Sequence, residues 1–292
     1  MNKLIIEVRP NEYAMRDENP HVPWTPEEIA RDVAACAEAG ASLAHFHART
    51  PAGGAAHDAE TYAEIMREIR ARCDILLGPV LANSPGASPR QRLANVVDNL
   101  SDPATTADVL AVDTGCVNMD RYDRVAKRFE SKDRSFVNDI ATIEFLLDQA
   151  RALGIKPGLA SFNVSWLRTI EAFLDMGALA EPALVEIVLG GDEFIAAHPG
   201  TVAGLEAQLA FLPANRRVEW GVLTHGGSVL DVAATAIRRG GHIAVGLGDH
   251  PYAELGCPTN ADLVRHVVEL ARSLGREVAD VAEARQILGI AR

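Results

Sequence analysis

Two histidines one residue apart are the clearest candidates for chemistry in this chain. His45 and His47 flank Phe46 at the end of an apolar run, residues 41–44. Side chains at positions i and i+2 of a strand point to the same face, so both imidazoles are expected to aim in one direction. Two neutral imidazoles suit Zn²⁺ or a similar divalent metal, although zinc needs at least one further protein ligand. The spacing alone leaves a second interpretation open, in which one histidine is buried and hydrogen-bonded and the other is partly solvated.

The elements that must position these histidines form an alternating pattern. Short apolar runs are expected to be strands at about 3–9, 42–48, 74–81, 108–113, 156–162, 183–189, 217–223 and 242–247. Amphipathic stretches between them are expected to be helices at about 25–40, 58–72, 89–100, 139–153, 165–176, 202–211, 228–239 and 260–274. Eight strands alternating with eight helices predict an α/β fold of the (β/α)₈ TIM barrel type. A doubly wound sheet is the alternative, but no G-x-G-x-x-G follows the first strand.

The barrel is expected to be one domain over residues 1–292 with a short C-terminal appendage at about 276–292. No Pro- or Ser-rich linker divides the chain. The longest irregular segment, about 114–138, follows the fourth strand and is charged and mixed in composition. Such a segment is typical of a lid over the site or of a contact between subunits.

Composition narrows the partners and the compartment. The net charge is −12, which argues against nucleic acid because phosphate binding needs a basic surface. The four cysteines are scattered without a C-x-x-C pair, which favours a reducing cytoplasm over a disulfide framework. No apolar run approaches the ~20 residues needed to span a membrane, so no membrane partner is expected.

A barrel of this type works at the carboxyl ends of its strands, and several polar residues follow strand ends. Asp249 follows strand 8 and is the best acid/base candidate, although it could instead cap the next turn. His225 follows strand 7 and could be a third metal ligand or a donor to backbone. Glu7 and Arg9 share one face of strand 1, as a barrel-floor ion pair or as substrate contacts.

Other residues near strand ends are candidates for substrate binding. Asn11 and Glu12 close strand 1, and Arg49 could receive a carboxylate through its planar fork or lie solvated on the surface. Cys116 follows strand 4 and is only a weak nucleophile candidate, since no histidine partner is evident. Gly226 and Gly227 open a helix whose backbone amides could bind an anion, or they form only a tight turn.

Four segments carry a resemblance to a known family. They are Trp24-Thr25-Pro26-Glu27-Glu28, the run from Ala39 to Arg49 that contains the histidine pair, Val188-Leu189-Gly190, and the run from Gly240 to Asp249. In this order and spacing they resemble the β-keto acid cleavage enzymes, whose founding activity is 3-keto-5-aminohexanoate cleavage. The resemblance implies a zinc-containing (β/α)₈ barrel, commonly a homotetramer. It also implies a reaction in which a β-keto acid and acetyl-CoA give acetoacetate and a new acyl-CoA.

The resemblance places the family's zinc-binding histidines on His45 and His47 and its catalytic aspartate on Asp249. The family's third zinc ligand, a glutamate, falls on Gly248. We predict that His225 from strand 7 replaces this glutamate as the third metal ligand. Glu7, Glu12 and Glu186 are the alternatives.

Four further family positions also differ. The arginine that partners the aspartate falls on Ala244, the serine after strand 3 on Val80 and the threonine after strand 4 near Cys116. The acid on strand 5 is missing from residues 158–160.

The leading functional hypothesis is therefore metal-dependent cleavage of a β-keto acid by retro-Claisen chemistry. The metal would act as a Lewis acid, and Asp249 would take or relay a proton. Two alternatives stay open, a metal-dependent hydrolase of a small carboxylate substrate and a non-catalytic ligand-binding barrel.

Overall fold

Eight parallel strands form the centre of the fold in the computed structural model, which describes residues 2–81 and 86–291. The strands are β1 (Ile6–Val8), β2 (Leu43–Phe46), β3 (Leu76–Pro79), β4 (Val109–Asp113), β5 (Lys156–Ser161), β6 (Ala183–Gly190), β7 (Val218–His225) and β8 (His242–Val245). They follow the hydrogen-bonded order β3-β2-β1-β8-β7-β6-β5-β4. The backbone N–H of Asp108 donates to the carbonyl of Leu77 at 2.8 Å and links β4 to β3. The sheet is therefore a nearly closed barrel, and the predicted (β/α)₈ fold is confirmed.

Helices follow the strands around the outside of the barrel. They are α1 (Pro26–Ala39), α2 (Ala59–Arg70), α3 (Pro89–Arg92), α4 (Ala94–Val97), α5 (Ile140–Leu153), α6 (Val164–Asp175), α7 (Val202–Leu209), α8 (Leu230–Arg238), α9 (Asn260–Ser273) and α10 (Val281–Leu288). The Thr25 side chain caps α1 by accepting from the Glu28 amide, and the Glu28 carboxylate accepts from the Thr25 amide. The single helix expected at 89–100 is divided into α3 and α4, on either side of Leu93.

The amino-terminal end of the barrel is closed by α10, which lies in the segment expected only as an appendage. Ala284 and Leu288 of this helix are fully buried. They pack against a floor of apolar strand residues, namely Ile5, Leu43, Leu76, Val109 and Leu184. Because apolar side chains fill this end, the opposite end of the barrel is available for a functional site. That end is formed by the carboxyl ends of the strands, where barrels of this kind carry their sites.

The segment at 114–138 forms two small antiparallel ribbons at that end. Val117–Asn118 pairs with Ser135–Phe136, and Tyr122–Asp123 pairs with Arg128–Phe129. The amide of Tyr122 donates to the carbonyl of Glu193 at 3.2 Å, so the ribbons lie against the loop that follows β6. Among the described residues, none of the helices combines the length and the apolar character that crossing a membrane requires.

Candidate functional site

One carboxylate and two imidazoles converge at the carboxyl ends of β1 and β2. The Nε2 atom of His47 lies 2.6 Å from Oε2 of Glu12, and Nε2 of His45 lies 3.5 Å from Oε1 of Glu12. One potential ligand atom from each of the three residues lies within 4.8 Å of the others, and all three residues are buried. Two histidines with one glutamate form a donor set that catalytic zinc sites use, so these residues could hold a divalent metal.

The state of the histidines fits this interpretation. Both ring nitrogens of His47 are buried without a well-formed hydrogen bond to any described residue, despite the close approach of Glu12. A buried nitrogen without a partner costs free energy, and an ion shared with Glu12 would remove that cost at Nε2, the nitrogen that faces Glu12. Burial, together with the nearby positive charge of Arg9, holds the pKa of His45 well below its usual value. Its imidazole is therefore neutral at pH 7, which is the form that binds metals.

The close approach of two loops gives Glu12 its position. Its φ angle is +36°, a left-handed conformation that is uncommon for a residue with a side chain. A Cβ atom at Gly248 would lie 2.6 Å from Cγ of Glu12 and 2.7 Å from its backbone nitrogen. Position 248 is a glycine where the resemblance implies a glutamate, and the side chain of Glu12, from the loop that follows β1, lies beside it. Of the replacement ligands considered from the sequence, the structure brings Glu12 to the histidines.

Asn11 positions His47 through its backbone. Its Oδ1 accepts from the His47 amide at 3.0 Å, and its Nδ2 donates to the His47 carbonyl at 2.8 Å and to the Pro23 carbonyl at 3.2 Å. The residue is fully buried. Because its amide group is engaged by backbone, the structure gives Asn11 a positioning role in place of the expected substrate contact.

Arg9 connects the potential metal ligands to the candidate base. Its guanidinium donates to Oδ2 of Asp249 at 2.9 Å, to Oε1 of Glu7 at 3.0 Å and to Glu12. Burial disfavours charge on Glu12, but Arg9 and His47 outweigh it and hold the pKa of this carboxyl well below its usual value. Burial raises the pKa of Glu7 in spite of Arg9. Arg9 is therefore more than one half of a floor ion pair, because it orders three carboxylates at once.

His225 contacts the opposite oxygen of Asp249. Its Nδ1 lies 3.3 Å from Oδ1 of Asp249, whose side chain is only 4% exposed. Burial opposes charge on His225, but the Asp249 carboxylate outweighs it and raises the pKa of the imidazole. The group of potential metal ligands does not include His225. Glu12 therefore takes the third place in the group of potential ligands, and the ring of His225 contacts Asp249; metal binding by His225 stays a prediction.

The guanidinium of Arg49 lies among backbone carbonyl groups. Its N–H groups donate to the backbone carbonyls of Asn11, Glu12, Ala14 and Gly53. These contacts account for the five donors of a guanidinium, so the expected carboxylate contact has no donor left to use. The structure assigns Arg49 instead to holding the loop that carries Glu12.

The remaining sequence candidates lie at strand ends outside the group of potential ligands. Gly226 has a φ of +72° and donates its amide to the Asp249 carbonyl at 2.8 Å. A Cβ at Gly227 would lie 3.1 Å from Cα of Gly191, so this segment packs closely against the loop that follows β6. Cys116 is exposed after β4. Anion binding by the glycines and a substrate contact by Cys116 stay predictions.

The opposite side of the barrel opening is apolar. Seven buried side chains from β5 to β8, the loops that follow β5 and β6, and the first turn of α6 form one cluster, namely Ala160, Phe162, Trp166, Val188, Phe194, Leu223 and Ala244. Beneath it lies Glu186, whose pKa burial and the nearby Glu7 raise to about 8. A Cβ at Gly158 would lie 2.8 Å from Oε1 of Glu186, so this carboxyl takes the space beside the strand-5 position where the expected acid is missing.

Comparison with known proteins agrees with this architecture. The family model described as beta-keto acid cleavage enzyme matches residues 3–290. The chain is 29% identical to the 3-keto-5-aminohexanoate cleavage enzyme of Fusobacterium nucleatum, over 94% of this chain and 93% of that protein. It is 28% identical to the 3,5-dioxohexanoate:acetyl-CoA acetone transferase of Paraburkholderia graminis, over 92% and 90%.

A solved structure supports the fold. The apo structure of ObcA superposes with a TM-score of 0.72 at 16% identity, covering 94% of this chain and 66% of that one. The family match spans nearly the whole barrel, including both histidines, Glu12 and Asp249. The chain therefore belongs to the β-keto acid cleavage enzyme family.

Proposed function

We propose that this protein cleaves a β-keto acid with acetyl-CoA as co-substrate. The keto acid R–CO–CH₂–COO⁻ and acetyl-CoA would give R–CO–S-CoA and acetoacetate. The bond between C2 and C3 of the keto acid and the thioester bond of acetyl-CoA break, and one carbon–carbon and one carbon–sulfur bond form. The observation that carries the proposal is the Glu12–His45–His47 group lying beside an Asp249 that Arg9 holds.

The three convergent side chains define the metal's place in this proposal. Glu12, His45 and His47 would hold one divalent ion, with zinc the best match to the donors. A bound ion would supply Lewis acidity toward the keto oxygen and carboxylate of the substrate. Asn11 fixes the backbone of His47, and Arg49 fixes the loop that carries Glu12.

Proton transfer is the role proposed for Asp249. Arg9 donates to its Oδ2, which keeps the carboxylate in one orientation and directs Oδ1 to the side of His225. We assign Asp249 as the acceptor of a proton from C2 of the keto acid. His225 is partly exposed, so it can pass that proton between Asp249 and solvent.

The proposal is tested by incubating the purified protein with acetyl-CoA and a panel of β-keto acids. The assay is repeated after chelation and after zinc is restored, and both products are measured by mass spectrometry. We expect acyl-CoA and acetoacetate in equal amounts, lost on chelation and recovered with zinc. Absence of both products with every acid contradicts the proposal, and product formation without any coenzyme A would favour the hydrolase alternative. The homotetramer implied by the resemblance is a separate prediction that light scattering can check.

A further inference from the structure

The apolar side chains opposite the charged group face the barrel opening. Val188 and Leu223 are 5% and 3% exposed, and Ala160 and Ala244 are 8% and 5% exposed. Strand residues that alternate with them, such as Ile187 and Val222, are 0% exposed because they face the helices. The small exposed fractions of the first four side chains therefore indicate that they line the interior of the barrel opening. We call Ala160, Val188, Leu223 and Ala244 the apolar wall.

Two aromatic rings cover this wall from the loop side. Phe162 follows β5 and Phe194 follows β6, and their ring centroids lie 5.8 Å apart in an edge-to-face arrangement. Phe194 also meets the ring of His225 edge to face at 4.8 Å. The apolar wall is thus continuous with the side chain that contacts Asp249, so one bound molecule could touch both.

We infer that the variable group R of the keto acid is an uncharged, apolar chain that binds against the apolar wall. The inference rests on the proposed function, because it assumes that the carboxylate and keto end of the substrate lies at Glu12, His45 and His47. The opposite end then reaches β5 to β8, where the wall offers methyl and methylene groups. The wall side chains themselves offer no hydrogen-bond partner to an ammonium or carboxylate on R, and burying such a group against them lowers affinity.

Two acids define the strongest competing chemistry for R: Glu186 beneath the wall, and Asp113 on β4, which pairs with Ala160 and so lies beside the wall. Burial raises the pKa of Glu186 to about 8, so this carboxyl is mostly uncharged at pH 7 and offers little attraction to a cation. Burial also raises the pKa of Asp113 on β4 to about 6, which leaves it largely ionised at pH 7. An R group that carries an ammonium is therefore the alternative that the experiment must exclude.

The experiment measures binding first, without acetyl-CoA, so that no reaction is needed. Calorimetry with the metal-loaded protein compares 3-oxopentanoate, 3-oxohexanoate and 3-oxoheptanoate with 5-amino-3-oxohexanoate and 3-oxoadipate. We expect affinity to rise about 3- to 4-fold for each added methylene until the space is filled. We expect each charged acid to bind at least ~30-fold more weakly than the neutral acid of the same length. Affinity that does not rise with chain length, or a charged acid that binds as tightly, overturns the inference, as does a failure of every acid to bind.

A matched pair of variants sharpens the result. Ala160→Asp puts an acid into the apolar wall, and Ala160→Asn adds a side chain of the same size without the charge. Relative to the Asn variant, the Asp variant is expected to favour the ammonium-bearing acid by ~10- to 100-fold. If neither variant folds, the chain-length series in the unmodified protein decides the question alone.

Turnover separates this inference from the proposed reaction. If neutral acids bind in the expected order but give no acyl-CoA or acetoacetate, the inference about R is supported and the proposed reaction is contradicted. If charged acids give acetoacetate faster than neutral ones, the inference about R is contradicted and the proposed reaction is supported.

Discussion

The two halves of the barrel opening are built from opposite chemistry. The half formed by β8, β1 and β2 buries a guanidinium among carboxylates and imidazoles, and every bond of Arg9 in this group goes to an acid. The other half, formed by β5 to β7 together with Ala244 of β8, buries aliphatic and aromatic side chains. The difference indicates a division of labour, in which one half fixes reactive groups through charge-assisted hydrogen bonds and the other selects what is bound by shape and polarity.

The largest loss of activity is expected when a potential metal ligand in the charged half is removed. We expect His47→Ala to lose its metal and to lower kcat/KM by about 1000-fold or more, because Lewis-acid stabilisation is worth several kcal/mol. Metal analysis and steady-state kinetics check this. His266→Ala on the exposed face of α9 is the control and should resemble the unmodified protein. Normal activity of the His47→Ala variant would contradict the proposed role of the metal in the reaction.

Neutralising the candidate base should lower the rate and leave the metal in place. In Asp249→Asn an amide oxygen can still accept from Arg9, but it cannot take a proton. We expect kcat to fall by ~10²- to 10⁴-fold, which is the usual contribution of a positioned base. Metal content, measured on the same samples, should not change. Loss of metal together with activity would show that Asp249 supports the ligands and not the proton transfer.

Filling the space beside Glu12 tests the contact between β8 and β1. The new Cβ of Gly248→Ala would lie 2.6 Å from Cγ of Glu12 and displace this carboxylate. We expect metal affinity to fall ~10- to 100-fold, as for disturbed support of a ligand. The matched control is Gly221→Ala in the barrel lumen, where the nearest atom would lie 3.6 Å away. Competition with a chelating dye measures both, and equal affinities in the two variants would contradict the proposed role of Gly248.

The smallest effect is expected beneath the apolar wall. The folded protein holds a proton on Glu186 up to a pKa of about 8, against 4.5 for the free group. The unfolded chain releases that proton, so stability falls as pH rises from about 4.5 to 8. Glu186→Gln removes this loss, and its advantage in Tm should grow by several °C between pH 5 and pH 8.5.

Thermal unfolding followed by circular dichroism checks the Glu186 prediction. The exposed Glu171→Gln on α6 serves as the control and should show a pH-independent difference. A constant gap for Glu186→Gln would mean that Glu186 is ionised in the folded protein at neutral pH.

Most of the fold could be predicted from the sequence because buried parallel strands appear as short apolar runs. Each of the eight expected strands overlaps an observed one. The helix α10 was not predicted, although Asp280 and Glu283 form a capping box at its start and Gly289 ends it, which are signals that the sequence carries. Its place against the barrel floor could not be predicted, because that surface is assembled from the first residues of strands far apart in the sequence.

The site was predictable only in part, for a similar reason. The sequence places His45, His47 and Asp249 at strand ends, where the structure has them. Choosing Glu12 over His225 requires the φ of +36° at Glu12 and the space at Gly248, neither of which a pattern reveals. A contact of Arg49 with a substrate carboxylate would require β2 to continue past the histidines, so that residues 45, 47 and 49 share one face; β2 instead ends at Phe46, and Arg49 pairs with Ala55.

The most direct test of the central claim compares the metal content of Glu12→Gln and His225→Gln. Both substitutions preserve size approximately and remove one candidate ligand each. The account predicts that His225→Gln retains about one metal ion per chain, while Glu12→Gln loses it or binds it far more weakly. Retention by Glu12→Gln together with loss from His225→Gln would contradict the assignment of Glu12 and return the third ligand to His225.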